Sequence, residues 1–99
     1  MENEKLELVS QYWWLFGRSG GETRIKIINL LMERPYNANQ LSNKLEMSYR
    51  NIKHHLKILK DLGVVAQNSD QKYGKIFVIN SKFNKDIFNE VIKKRKSET

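Results

Sequence analysis

Two short amphipathic segments, 38–45 and 48–60, are separated only by Glu46 and Met47, and this spacing constrains the fold more than any other feature of the chain. Asn37 followed three residues later by Gln40 has the form of a capping box, in which each residue satisfies the other's free backbone donor. It predicts a short helix, Ala38 to Leu45, that buries Leu41 and Leu45. Ser48 can cap the next helix, whose apolar stripe is Ile52, Leu56, Leu59 and Leu62, and Gly63 tolerates the left-handed conformation that stops it. Beyond Gly63 the pattern changes to two β-prone runs, Val64 to Gln67 and Lys75 to Ile79, around a polar stretch from Asn68 to Gly74 that suits a hairpin loop. Helix, tight turn, helix and hairpin in this order predict a helix-turn-helix with a β wing.

The flanks add helices. From Leu6 to Phe16, Leu6, Val9, Trp13 and Phe16 recur at helical spacing, and Leu8, Tyr12 and Leu15 form a second stripe, so two apolar faces need two partners. Gly17 to Gly21 breaks this pattern; Thr23 to Glu33 then reads as a helix with Ile25, Ile28 and Met32 on its core face, ended by Pro35. The tail regains helical spacing from Phe83 through Ile87, Val91 and Phe88, Ile92, then runs into Lys93-Lys94-Arg95-Lys96. The expected fold class is therefore mainly α with a small β-hairpin wing, a winged helix-turn-helix with extra N- and C-terminal helices. Its expected organisation is an N-terminal dimerisation helix at 1–17, a winged helix-turn-helix at 18–80 and a C-terminal dimerisation helix with a basic tail at 81–99. At 99 residues the chain supports one modest core.

Charge narrows the function. With 18 Lys and Arg against 11 Asp and Glu, the formal net charge is +7, which implies an anionic partner, nucleic acid first and an acidic membrane surface second. The absence of cysteine excludes disulfides, thiolate metal sites and a thiol nucleophile, and fits a reducing, cytoplasmic setting. The apolar run Tyr12 to Phe16 is too short to span a bilayer and lacks the form of a signal peptide, so no membrane association is expected.

At about 100° per residue, Arg50, Lys53, His54 and Lys57 form one stripe opposite Ile52, Leu56 and Leu59. A helix docked by its apolar face can insert its first residues into a DNA major groove while the preceding helix crosses the backbone. Tyr49, Arg50 and Asn51 then meet base edges first. Arg pairs bidentately with guanine and Asn with adenine, so base reading falls to Arg50 and Asn51, Lys53 is shared between base and phosphate, and Lys57 is a phosphate contact. A charged stripe alone is more often a solvated helix face; the surrounding elements tip the balance here. His54 faces outward and joins the DNA set, whereas His55 falls toward the core side. Adjacent helical histidines point about 100° apart and cannot share an ion, and no other metal set is present, so neither metal nor cofactor is expected. In the wing, Lys72, Tyr73 and Lys75 surround Gly74 as a mobile basic tip suited to a minor groove or its phosphates. Arg24 is expected to hold phosphate at a helix start near Gly20 and Gly21, a segment that lacks a P-loop Lys-Ser/Thr. Tyr12, Trp13, Trp14 and Phe16 could stack unpaired bases, but aromatic residues at helical spacing more often pack. Tyr12, Trp13 and Phe16 with Ile87, Phe88 and Val91 are expected to form a homodimer interface. No paired carboxylates or nucleophile with a base appear, so no catalytic residues are assigned and no enzyme is expected.

The stretch Leu45-Glu-Met-Ser-Tyr-Arg-Asn-Ile-Lys-His-His-Leu-Lys-Ile-Leu-Lys-Asp-Leu-Gly-Val-Val65 resembles the recognition-helix segment of ArsR-type winged-helix transcriptional regulators. Gly20-Gly-Glu-Thr-Arg24, Asn37-Ala-Asn-Gln-Leu41 and Tyr73-Gly-Lys-Ile-Phe77 are similar to a compact archaeal subgroup, and the likeness runs from about Gly20 to Ile79. The resemblance implies transcriptional regulation by a homodimer that places one helix of each subunit in successive major grooves, with terminal helices at the interface. It implies DNA contact by Ser48, Tyr49, Arg50, Asn51, Lys53 and His54. Many such proteins have a small Ser or Thr where this chain has Asn51 and Lys53, and many sense metals through cysteines that this chain lacks. The expected function is a sequence-specific duplex-DNA-binding regulator. The competing readings are a winged-helix protein-interaction module and a non-specific, chromatin-type DNA binder.

Overall fold

A computed structural model describes residues 2–97. Met1, Glu98 and Thr99, the outermost positions of the two predicted terminal segments, lie outside the described residues. In chain order the elements are α1 (Glu2–Tyr12), a π-helical segment (Trp13–Gly17), α2 (Gly21–Glu33), β1 (Tyr36–Asn37), α3 (Ala38–Leu45), α4 (Tyr49–Asp61), β2 (Val65–Asp70), β3 (Gly74–Ile79) and α5 (Lys85–Ser97). This is a mainly helical winged helix-turn-helix with a three-stranded antiparallel sheet in the order β1-β3-β2. The chain divides into two compact units, one running from Lys26 to Phe83 and the other combining the residues up to Ile25 with those from Asn84 onward.

The Lys26–Phe83 unit holds the helix-turn-helix and the wing. Asn37 caps α3 as its spacing predicts: its side chain accepts the Gln40 N–H at 2.7 Å and its own N–H donates to Gln40 Oε1 at 2.9 Å. The helix stops where Glu46 takes a left-handed conformation with φ 53°, which turns the chain within two residues toward α4. Leu41 of α3, Ile52, Leu56 and Leu59 of α4, and Ile27, Ile28 and Leu31 of α2 are all buried. The predicted core face of α2 is corrected here: Met32 is exposed and Ile25 only half-buried. Apolar residues occupy nearly every side of α2, so periodicity alone cannot choose among them. The hairpin pairs Val65 with Ile79 through to Asp70 with Gly74, which makes both strands longer and the loop shorter than expected. A two-residue strand, unforeseen after Pro35, adds Tyr36 opposite Phe77 and Asn37 opposite Ile76.

The terminal unit packs α1, the π-helical segment and α5. Phe16 meets Tyr12 edge-on at 5.6 Å and Phe88 edge-on at 4.9 Å between ring centroids. Asn84 caps α5, its side chain accepting the Ile87 N–H at 3.0 Å, while its own N–H donates to the Tyr12 hydroxyl oxygen at 2.9 Å. Burial pushes the Tyr12 phenol above its usual range, and the Asn84 N–H partly opposes that shift. The sequence assigned Tyr12, Phe16, Ile87, Phe88 and Val91 to contacts between subunits; all five are instead buried inside this unit, leaving only Trp13 of that set half-exposed. The terminal helices are each other's partners, so these side chains are spent on the chain's own core.

Candidate nucleic-acid interface

The N-terminus of α4 is fixed from both sides. Ser48 is extended, with φ −62° and ψ 143°, and its Oγ accepts the Asn51 N–H at 3.1 Å. Before it, the Met47 N–H returns to the Ser42 carbonyl at 3.1 Å, so the turn closes on α3. At the other end, Gly63 at φ 76° lets the Val64 N–H reach the Leu59 carbonyl at 2.9 Å, and the chain leaves the helix directly into β2. With both ends capped and Ile52, Leu56 and Leu59 buried, the rotation of α4 about its axis is set by the core.

That rotation leaves Ser48, Tyr49, Arg50, Asn51, Lys53, His54 and Lys57 exposed together, as their spacing predicts, while His55 is half-buried. Arg50 and Lys53 form no ion pair within the described residues. Lys57 differs: its Nζ lies 2.9 Å from Asp61 Oδ2, an exposed pair one helical turn apart. Such a pair contributes at most about 1 kcal/mol, so a phosphate can compete with it. Lys60, on the same i, i+4, i+7 stripe as Lys53 and Lys57, reaches Gln67 Oε1 at 3.4 Å and extends the cationic edge toward the sheet. That spacing was available in the sequence.

The wing presents Lys72, Tyr73 and Lys75, all exposed. Its tip is less loose than expected: Asp70 Oδ1 accepts the backbone N–H groups of Lys72 and Tyr73, each at 2.8 Å, and Gly74 takes φ 73°. Asn37 Nδ2 also reaches the Tyr73 carbonyl at 3.4 Å, joining the wing tip to the start of α3. An open groove of ≈ 520 Å³ runs between these elements. The polar residues at its α3 wall, half-buried Asn37 and exposed Asn39, were not expected at the interface: Asn37 was read as a cap and both as part of a family resemblance.

Arg24 departs from its expected role. It is only 5% exposed, and its Nε donates to the Leu15 carbonyl at 2.6 Å. Its guanidinium carbon lies 5.5 Å from the centre of the Trp14 ring. Gly20 gives it room, since a Cβ there would come within 3.2 Å of the guanidinium, and desolvation lowers the pKa of the buried group. A side chain committed to the interior cannot reach a phosphate, so Arg24 leaves the contact set.

The capped bihelical turn, the exposed cationic helix and the hairpin beside it define a class, the winged helix-turn-helix. Within it, the model of the bacterial regulatory protein, arsR family, matches residues 21–67, so this segment is similar to the helix-turn-helix of that family. No curated protein matches the chain significantly in sequence. Among solved structures, the chain is similar to reduced HlyU from Vibrio cholerae at a TM-score of 0.67 and 19% identity, over 97% of this chain and 95% of that one. It is similar to a transcriptional regulator, HlyU from Vibrio vulnificus, at 0.67 and 16%, over 99% and 93%. It also resembles ST1889 from the archaeon Sulfolobus tokodaii at 0.58 and 20%, over 98% and 92%. At these identities the likeness is one of fold. Among the described residues, no helix is long and apolar enough to cross a membrane.

Proposed function

We propose that the protein is a sequence-specific regulator that binds duplex DNA as a homodimer in the cytoplasm, with α4 in the major groove and the wing beside it. The observation that carries this reading is the exposed face of α4, where Arg50, Asn51, Lys53 and His54 stand clear at the capped end of a helix whose other face is buried. A helix held by its core and open at its N-terminus suits direct reading of base edges. Arg50 and Asn51 are assigned to bases, with Ser48, Tyr49, Lys53 and His54 around them; Lys57, Lys72 and Lys75 are assigned to phosphates or to the adjacent minor groove.

With the aromatic core used inside each subunit, the homodimer contact moves to the apolar surface left over. Leu6 is 63% exposed, and Val9 and Trp13, which follow it at helical spacing, are half-buried and line a groove of ≈ 250 Å³ with Val91. A two-fold dimer spaces its half-sites by about one helical turn, or about 10 bp. Selection of bound duplexes from a random pool tests the whole reading. Enrichment of a near-palindrome with that spacing supports it; uniform recovery of all sequences would instead indicate a non-specific binder, and no recovery an interaction module.

A further inference from the structure

The Lys26–Phe83 unit buries Tyr36 but leaves Tyr49 and Tyr73 each 49% exposed. These two rings come from elements far apart in sequence, the first turn of α4 and the tip of the wing, yet both line the ≈ 520 Å³ groove. Lys53 Nζ lies over the Tyr49 ring, 5.4 Å from its centre, and Lys72 Nζ over that of Tyr73 at 5.2 Å, so each ring carries an ammonium group on one face and keeps the other for a partner. The groove wall from α3 contributes the side-chain amide of Asn39, next to that of Asn37, whose Oδ1 already accepts the Gln40 N–H and whose Nδ2 donates to the Tyr73 carbonyl, and Lys75 of β3 adds a second lining ammonium to that of Lys53. The Asn37 to Tyr73 hydrogen bond ties two of the walls together.

Aromatic faces, amides and ammonium groups along one open groove match three parts of one kind of molecule. A planar base stacks on a tyrosine, its edge exchanges hydrogen bonds with amides, and a phosphate accepts from lysine. A bare anion would leave the rings and amides unused, and an apolar effector would have to desolvate the lysines. The volume falls within the usual range for small-ligand sites, about 300 to 1,000 Å³. We propose that this groove binds a free nucleotide, with AMP as its probe, and that the bound nucleotide excludes duplex DNA because Tyr49 and Lys53 belong to both sites. Only the second part rests on the DNA-binding reading. The coupling is reciprocal: the factor by which nucleotide weakens duplex binding is the factor by which duplex weakens nucleotide binding.

AMP titrated into the full chain, followed by calorimetry and by the NMR signals of the tyrosine rings, tests the site. Adenosine, inorganic phosphate and a single-stranded oligonucleotide serve as separate arms. Saturable AMP binding that shifts the Tyr49 and Tyr73 rings is expected, with adenosine and phosphate each much weaker. Tyr73→Ala should weaken AMP by about 5- to 150-fold, the range for loss of one stacked ring. Tyr73→Phe should retain AMP binding, and unchanged urea midpoints show that both variants stay folded. Absence of saturable AMP binding overturns the proposal, as does equal affinity of wild type and Tyr73→Ala. Binding of the oligonucleotide without AMP also overturns it, since the groove then takes a strand. A duplex titration of the same preparation separates the two readings: duplex binding without AMP binding removes the nucleotide site alone. AMP binding without duplex binding removes the regulator reading and the exclusion but leaves the site.

Discussion

Replacing Arg24 with alanine deletes a hydrogen bond from a charged donor to the Leu15 carbonyl at 2.6 Å and a cation–π contact to Trp14, and leaves that buried carbonyl without this donor. A charged hydrogen bond contributes about 1.5 to 3 kcal/mol, and a cation–π contact on a partly exposed ring about 0.5 to 1 kcal/mol. Relief from burying the charge, the same desolvation that lowers the Arg24 pKa, offsets part of this loss. A net cost of about 2 kcal/mol is expected, a large share of the roughly 5 to 15 kcal/mol that holds a domain folded. With a urea slope of about 1.5 kcal/mol/M, the midpoint should fall by about 1.3 M. Arg24→Met keeps an apolar stem in the same space and should lose less. The DNA readout separates this role from a phosphate contact. Losing one phosphate contact flattens the plot of log affinity against log salt by about 0.9, whereas a structural Arg24 leaves that slope unchanged under conditions where the variant is folded. An unchanged urea midpoint with a flattened salt slope would refute the interior role.

Tyr12 carries a pH dependence whose sign follows from its raised pKa. Below about pH 10, the usual phenol value, both folded and unfolded chains keep the proton; above it the unfolded chain loses the proton first, so stability falls as pH rises through the folded value. Tyr12→Phe should remove that alkaline decline in urea unfolding and cost about 1 kcal/mol at neutral pH, because the Asn84 N–H loses its acceptor; parallel declines in the two proteins would contradict this. Leu6→Glu places a charge on the most exposed large apolar side chain of α1 and should shift the chain from dimer to monomer in size-exclusion with light scattering, with little change in the urea midpoint. A wild-type chain that is monomeric at every concentration would refute the dimer.

The elements that position α4 were legible because their signals are local. The Asn37–Gln40 box, the Ser48 cap and the Gly63 stop each act within a few residues, and all three are present as read. The elements that escaped depend on distant partners. β1 has two residues, too few for any periodicity, and exists because Phe77 and Ile76 lie opposite. Arg24 read as a surface cation since nothing in its neighbourhood announces that the Leu15 carbonyl, nine residues earlier, would draw it inside. The terminal aromatics were recognised as packing residues, but hydrophobic spacing does not say whether the partner is the same chain or a second copy; Phe16 against Phe88 resolves that for one set. The groove residues Asn37 and Asn39 come beside Tyr73 only through the hairpin.

The central claim, that α4 reads duplex DNA, is tested most directly by salt-dependent titration of wild type, Arg50→Ala and Lys57→Ala against a selected duplex and its single-base variants. Affinity should fall steeply with salt, at about 0.9 log units per log unit of salt for each phosphate neutralised. Arg50→Ala should cost about 1 to 3 kcal/mol and abolish discrimination at one base pair, while Lys57→Ala should weaken all duplexes alike. A salt-independent interaction, or the same uniform loss for both variants on every duplex, would contradict the assignment of α4 as a base-reading helix.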